Sequence, residues 1–339
     1  VHKFISGPFT KRITDTIAFL NQKFSLEKEE EKRKNNAKFV ESLSRLVAEC
    51  QKHPYKNKLT NELREKYVNS MFNKIRDENE RITVMKNGVM EVDGPRIYFR
   101  KGLPEDYATY STRINYIPAS RRDKVKEKHI RVYWNQLFPN RAVRHWAWKY
   151  DVSSLRGGPR DKNIVALVGY GDNSKSGHTI MKESAWGDYM IKGDNKMILA
   201  HVAQKASGPE PEKIRMRGRR IVMFQELDGK EPLHGGNLRK LSGGDSQGGI
   251  RDAFDGANEM IEISQMAKIA LMLNKLPPIS EGGGVEATWN RIKVVYYYSE
   301  WTETASDDYE EQWKTNRFKP SDEFYSRIVS LAETYFSML

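Results

Sequence analysis

Gly169-Tyr170-Gly171-Asp172-Asn173-Ser174-Lys175-Ser176 is the stretch of this 339-residue chain whose residue types and order point most directly to chemistry. Glycines let backbone N–H groups curl around phosphate oxygens, and the N-terminus of a following helix adds a positive dipole. In that reading Gly169, Gly171, Asn173 and Ser174 form the cradle. Lys175 reaches the β- and γ-phosphates, and the Ser176 hydroxyl holds Mg²⁺. The general pattern is G-x-x-x-x-G-K-[ST], and here Ser174 stands where the second glycine belongs. Gly177 and His178 are also poor openers for a helix. If Ser174 prevents the required backbone geometry, nucleotide binding is weak.

Three further positions fit the same chemistry. Arg220–Phe224 reads as an apolar strand running into Gln225-Glu226-Leu227-Asp228. A carboxylate there supports the metal ion and polarises the attacking water, with Glu226 the first choice and Asp228 the second. Ile269–Leu273 ends at Asn274, whose amide can bond the γ-phosphate or the water. Arg291 opens a strand after Thr288-Trp289-Asn290, where a guanidinium offered to a neighbouring copy would act as an arginine finger. Each has a bland alternative: an acidic loop, a capping Asn before a Pro turn, a surface Arg. The phosphate loop upstream favours the functional reading of the acidic residue. Lys175 and Glu226 are then expected to converge, from adjacent strand ends, on one triphosphate. Arg215, Arg217, Arg219 and Arg220 read equally as a phosphate- or DNA-facing cluster or as a solvated loop. His145 with Trp146 and Trp148 reads as packing, and the histidines lack metal-ligand spacing.

The elements that must position these groups follow from pattern. Ile164–Val168, Arg220–Phe224, Ile269–Leu273 and Ile292–Tyr298 are short apolar runs, with a helix near His178–Trp186 between the first two. That alternation predicts an α/β domain with a mainly parallel sheet over 156–339. Arg156-Gly157-Gly158-Pro159 reads as its boundary. Residues 1–155 read as mostly helical. Ile13, Ile17, Leu20 and Phe24 recur at helical spacing, as do Phe39, Leu43, Leu46 and Val47, and a charge run from Glu27 to Lys34 separates them as a solvated face. A further helix is expected at about 61–73, beyond Pro54. A small hairpin near 80–100 is expected around Asn87-Gly88, and helices return from Asp123 to about Tyr150.

Lys and Arg outnumber Asp and Glu 57 to 45, for a net charge of +12 and a pI of about 9.4. This suits a polyanionic partner or an indifferent basic surface equally. Cys50 is the single cysteine, which rules out a disulfide framework and fits a reducing compartment. No apolar run approaches the ~20 residues of a membrane span and no signal peptide is visible, so no membrane partner is expected. The chain opens at Val1 without an initiator Met, which fits a piece of a longer protein.

Taken in order, Gly169–Ser176, Phe224–Asp228, Leu238–Asp245, Leu273–Pro277 and Trp289–Ile292 resemble the superfamily 3 helicases. In detail they resemble the primase-helicase NTPases of large cytoplasmic DNA viruses, the poxvirus and African swine fever virus type. Asn87-Gly88-Val89, Pro104–Tyr107 and Leu137-Phe138-Pro139 resemble the region those proteins carry upstream, so the likeness runs from about residue 80 onward. The resemblance implies an AAA+-type P-loop ATPase core behind a helical collar, ATP or another NTP with Mg²⁺, a hexameric ring, translocation on single-stranded or forked DNA, and replication sites in the host cytoplasm. A primase domain would lie elsewhere on the full-length chain. Lys175, Ser176, Glu226, Asn274 and Arg291 take the family roles by position. A DNA-contacting hairpin would have its tip at Asp255-Gly256-Ala257-Asn258, which lacks the Lys-His pair of the small-virus members. Lys240, Arg251 and Lys268 are nearby basic alternatives. Two rivals stand beside this reading. One is a nucleic-acid-binding or assembly module with a degenerate phosphate loop, favoured by Ser174. The other is a small-molecule kinase, disfavoured by the basic pI and the Asn274/Arg291 spacing.

Overall fold

The computed structural model of the chain describes residues 2–25, 29–67, 72–158, 161–200, 211–227, 229–243, 247–251, 260–280, 285–320 and 322–339. They fall into two compact units, Val1–Asn73 and Lys74–Leu339.

The first unit is helical, as the recurrence of its apolar positions requires. Helices Thr10–Phe24 and Glu30–Gln51 pack on each other. Ile13, Ile17, Leu20 and Phe24 on one, and Val40, Leu43 and Val47 on the other, are half-buried, and Cys50 is buried. Phe39 stays exposed, so the apolar stripe enters at Val40 instead. The third helix, His53–Tyr67, starts earlier than its sequence suggests. Pro54 occupies its first turn, where a missing N–H breaks no helical bond. Among the described residues no helix is long and apolar enough to cross a membrane.

The second unit opens with an antiparallel meander of β1 (Ile82–Met85), β2 (Gly88–Asp93) and β3 (Arg96–Arg100). The expected hairpin is present, and its connection is Lys86-Asn87, with Gly88 already paired to Met85. A Cβ at Gly88 would meet the Arg100 carbonyl oxygen at 2.5 Å. Two helices follow, Lys124–Leu137 and Arg141–Ser153, each capped by a side chain, Asp123 and Asn140 respectively.

The centre is a five-stranded parallel sheet of β4 (Ile164–Val168), β5 (Met190–Lys192), β6 (Ile221–Leu227), β10 (Lys268–Leu273) and β12 (Ile292–Tyr296). Its order is β12-β4-β10-β6-β5, every pairing parallel. All four expected strands are present, and the sequence missed the three-residue edge strand β5. Short pairs complete the set: β7 (Leu233–His234) with β11 (Ile279–Ser280), β8 (Gln247–Arg251) with β9 (Met260–Ile263), and β13 (Glu300–Trp301) with β14 (Arg317–Phe318).

β4 is buried along its whole length because both faces of the sheet are covered. Val165 and Leu167 enter a core shared with the Lys124 and Arg141 helices, the helix Lys175–Trp186 that follows the glycine-rich loop, and the helix Asp322–Met338. Ile164, Ala166 and Val168 enter the opposite core, with Leu238 and Leu241 of the helix Gly235–Ser242. Each Val, Leu or Ile among them contributes roughly 1.5–3 kcal/mol on burial. Inside the first core the loop helix carries Lys182, whose ammonium pairs with Asp151 at 2.6 Å. The other carboxylate oxygen of Asp151 accepts from the Tyr335 hydroxyl. Lys182 and Asp151 are buried, as is Tyr335. This triad fastens the loop helix to the Arg141 and Asp322 helices at once.

Candidate nucleotide-binding site

Parallel strands bring their carboxyl ends to one edge of the sheet, and the candidate residues of three strands meet there. Val168 pairs with Leu273, and Leu273 with Leu227, so Gly169, Asn274 and the Gln225–Leu227 segment lie side by side. β10 lies between β4 and β6. Lys175 and Glu226 therefore do not come from adjacent strand ends. Two strand spacings, about 10 Å, separate their strands, and Asn274 sits between them.

The loop itself is tightly determined. A Cβ on Gly169 would run into the Asn173 side-chain amide and approach Tyr297 Cβ to 3.0 Å. Gly171 faces open space. Asn173 folds back into the loop: its amide N–H donates to the Tyr170 carbonyl, and its Oδ1 accepts from the Lys175 N–H at 3.2 Å. The Lys175 ammonium donates to the carbonyls of Gly169 and Leu273, the latter at 2.8 Å, and to Asn274 Oδ1 at 3.2 Å. Its burial pushes the ammonium below its ordinary pKa. Ser176 is exposed in the first turn of the loop helix.

Ser174 adopts the left-handed conformation a glycine would take, with φ 58° and ψ 21°. The backbone geometry of the glycine pattern is thus kept despite the serine. Its hydroxyl does not cap the helix. It lies 2.9 Å from the hydroxyl of Tyr133, which also reaches the Ser174 carbonyl oxygen at 3.3 Å. Tyr133 belongs to the Lys124 helix and is buried. On the far side, the Trp301 N–H donates to the Asp172 carbonyl at 2.7 Å. The loop helix starts at Lys175 despite Gly177 and His178, because both are buried against the core. His178 Nδ1 lies 2.6 Å from the Tyr297 hydroxyl. Burial, aided by Lys182, drives the His178 pKa down to about 3, against an opposing pull from Asp151.

At the end of β6 the ladder is irregular: Gln225 and Glu226 together oppose Met272. Glu226 has φ 58°, and its side chain is exposed. Such bulges re-aim a side chain, and a left-handed non-glycine residue costs of order 1–3 kcal/mol. The strained backbone thus coincides with the preferred carboxylate. Asp228 lies outside the described residues.

With 30% identity over 234 residues, the chain is similar to "Putative helicase 121R" of Invertebrate iridescent virus 3, a match spanning 69% of this chain and 24% of that protein. It is 27% identical over 258 residues to "Putative helicase 184R" of Invertebrate iridescent virus 6, spanning 76% of this chain and 26% of that protein. Over 168 residues it is 27% identical to "Putative helicase 022R" of Frog virus 3 (isolate Goorha), spanning 49% and 17%. The chain therefore spans about a quarter of the length of the first two relatives. No protein-family model matches it. The C-terminal region of NrS-1 aligns structurally over 73% of this chain and 50% of that one, with a TM-score of 0.42 and 11% identity.

The remaining candidates separate. Arg291 lies at the amino end of β12, at the opposite edge of the sheet from this chain's own loop. It is half-buried and donates to the Arg239 carbonyl at 2.8 Å and to Ser242 Oγ at 3.1 Å, in the last turn of the Gly235 helix, where a cation is favourable. Lys268 is buried, 3.5 Å from Asp161, with its ammonium 4.9 Å from the Tyr150 ring centroid, so it is not presented to a DNA strand. Lys240 is exposed at the end of the Gly235 helix. Arg251 ends β8, and the antiparallel β8–β9 pair supplies the stem of a hairpin. The expected tip, 255–258, and the Arg251 side chain lie outside the described residues.

The arginine cluster matches neither sequence reading. Arg217 and Arg220 are buried. Arg217 donates to Glu78 at 2.9 Å and to the Lys74 carbonyl at 2.8 Å. Arg220 donates to the carbonyls of Asn79 and Ile82 at 3.0 and 2.7 Å. Arg219 lies 4.0 Å over the Tyr110 ring. Only Arg215 is left at the surface, paired with Glu212. These guanidiniums fasten the segment around the meander to the edge of the sheet. Sequence reasoning missed Tyr133 and Trp301, whose contacts with the loop are non-local. His145 is exposed, while Trp146 stacks on Tyr150 and Trp148 meets Trp134 edge-on.

Proposed function

We propose that this chain is the NTP-hydrolysing motor of a viral DNA helicase, the residues from 156 onward acting as an AAA+-type ATPase of the superfamily 3 kind and the preceding helices as its collar. The observation that carries the reading is the row at the sheet's carboxyl edge: the Lys175 ammonium on the Asn274 amide, with the re-aimed Glu226 one strand beyond. The names of the iridovirus relatives support the nucleic-acid side of it.

The loop's N–H groups and Lys175 bind the β- and γ-phosphates, exchanging the internal bonds of Asn173 and Lys175 for phosphate oxygens. Asn274 orients the γ-phosphate or the water, and Glu226 polarises the attacking water. The exposed Ser176 hydroxyl and the Glu226 carboxylate, with Asp228 as a further candidate, suit a hard cation. Mg²⁺ held there would neutralise charge on the phosphates. Arg291, remote from its own loop, would serve a neighbouring copy's nucleotide, which fits a ring, hexameric by resemblance, moving along single-stranded or forked DNA. Lys240 and the β8–β9 hairpin are the DNA-facing candidates. A primase domain elsewhere on a longer chain, and replication sites in the host cytoplasm, belong to the same proposal.

Lys175→Ala is expected to abolish ATP hydrolysis while leaving the fold intact by circular dichroism, and single-stranded DNA is expected to stimulate the wild type. Turnover retained in Lys175→Ala would remove the motor assignment. The rival reading, a module with a degenerate loop, draws on the internal satisfaction of Lys175 and Asn173. A fluorescent-ATP titration showing no binding would favour it.

A further inference from the structure

One group of cations plays no part in the nucleotide site. Arg131 of the Lys124 helix, with Arg141 and Arg144 of the Arg141 helix, borders a cavity of about 370 Å³ that Trp134, Trp148 and Met338 also line. Exposure orders these residues. Arg131 and Arg141 are exposed, Arg144, Trp148 and Met338 are half-buried, and Trp134 is buried. The mouth is therefore cationic and the floor apolar. Among the described residues no acidic side chain lines it.

Three observations point to an anionic occupant. The Arg131 and Arg141 side chains have no hydrogen-bond or ion-pair partner among the described residues. Arg141 and Arg144 sit in the first turn of a helix that has no acidic residue there, so two cations face the positive end of a helix dipole and are disfavoured until an anion joins them. Trp134 is only 2% exposed, and its indole N–H has no acceptor among the described residues, a deficit that an incoming oxygen would make good. Arg144 is already held in place, because its Nη1 donates to the Phe138 and Pro139 carbonyls at 2.6 and 3.1 Å. The rest of its fork is presented at little further cost in ordering.

We propose that this cleft docks an acidic peptide segment of another protein, with carboxylates at the arginines and one bulky apolar side chain on the floor of indole and thioether. Guanidiniums hold carboxylates through paired hydrogen bonds, and the volume lies near the low end of ligand pockets, which suits one side chain with its flanking acids. The site stands whether or not the glycine-rich loop binds nucleotide. A nucleic-acid strand fits less well. Bases stack on open ring faces, whereas Trp134 is buried and Trp148 is packed edge-on with Trp134 and Tyr335. A second copy of this chain also fits less well. Its acidic stretch at 307–311 uses its carboxylates at home: Asp307 on Lys319, Asp308 on the Glu310 N–H and Glu311 on Lys314.

Fluorescence anisotropy of a labelled synthetic peptide, four aspartates followed by a phenylalanine, tests this. Wild type is expected to bind it. An Arg131→Ala/Arg141→Ala double variant should bind roughly tenfold or more weakly, the equivalent of one charge-assisted hydrogen bond. Its melting temperature should not fall, since both side chains are exposed and Arg141 leaves the positive end of its helix. A charge-matched control in the meander region, Arg96→Ala/Lys101→Ala, both exposed, should stay within about twofold of wild type. The same peptide ending in alanine should bind wild type roughly fivefold or more weakly. No binding by wild type, equal losses in the two double variants, or equal affinity for the two peptides would overturn the proposal. A labelled oligothymidylate that displaces the peptide and itself loses binding in Arg131→Ala/Arg141→Ala would give the cleft to nucleic acid instead. Self-association of the wild type that the same two substitutions abolish would give it to a second copy.

Discussion

Tyr133→Phe and Ser174→Gly, made singly and together, probe how the loop tolerates a serine in a glycine position. Ser174 holds φ 58°, and a left-handed L-residue costs roughly 1–2 kcal/mol relative to glycine. Its hydrogen bond to Tyr133, 2.9 Å and buried, returns about 0.5–1.5 kcal/mol. Ser174→Gly removes both terms and is expected to be near neutral. Tyr133→Phe removes only the favourable one and is expected to cost about 1 kcal/mol, a fall in melting temperature of roughly 2–4 °C for a unit of this size. In the Ser174→Gly background the same Tyr133→Phe change should cost less, leaving a coupling energy of about 1 kcal/mol in a urea-denaturation cycle. Additivity within about 0.3–0.5 kcal/mol would refute the idea that the hydroxyl pair holds the serine in place.

Gly169→Ala is expected to reduce nucleotide affinity at least tenfold in a fluorescent-ATP titration, because the new methyl collides with Asn173. Gly171→Ala, facing open space, should bind within about twofold of wild type. Arg291→Ala is expected to lose about 1.5–3 kcal/mol of stability with its charged bonds to Arg239 and Ser242, and to bind ATP normally but hydrolyse it slowly. Normal turnover per folded molecule would leave it only the helix-capping role. His178 has a folded pKa of about 3 against roughly 6.5 unfolded. The unfolded state therefore binds more protons between those values. The stability from keeping this ring neutral is complete above about pH 6.5 and drains at up to about 1.4 kcal/mol per pH unit as pH falls toward 3. His178→Phe should flatten that part of a denaturation-versus-pH curve, and an unchanged slope would reject it.

What was legible in the sequence was local and dense. Ile164–Val168 followed by glycines and Lys-Ser specifies a buried strand, a turn and a helix within two dozen residues, and the four apolar runs specify four strands. The three-residue β5 and the exposed β3, flanked by Arg96 and Arg100, carry too little apolar alternation to register. Strand order is also silent in a linear pattern, which is why Asn274 rather than Glu226 turns out to neighbour the loop. The bulge at Glu226 depends on a left-handed glutamate, a conformation its residue type disfavours. The Arg215–Arg220 cluster misled because charge reads as surface, yet Arg217 and Arg220 find carbonyls and a carboxylate from residues about 140 positions earlier. The Arg156–Pro159 glycine run signalled a boundary. It lies within the second unit, with the Gly157 and Gly158 N–H groups bonded to Glu80 and Met266.

The Lys182–Asp151–Tyr335 triad bears on how such a chain leaves the ribosome. The phenol that completes it is synthesised 184 positions after the carboxylate it bonds. Until then, an opposite-charge pair faces an unfinished aromatic wall. The helix that opens with Lys175 thus gains its full support only once residue 335 has emerged, so a nascent chain stalled short of that point would hold the glycine-rich loop on an incompletely fastened helix.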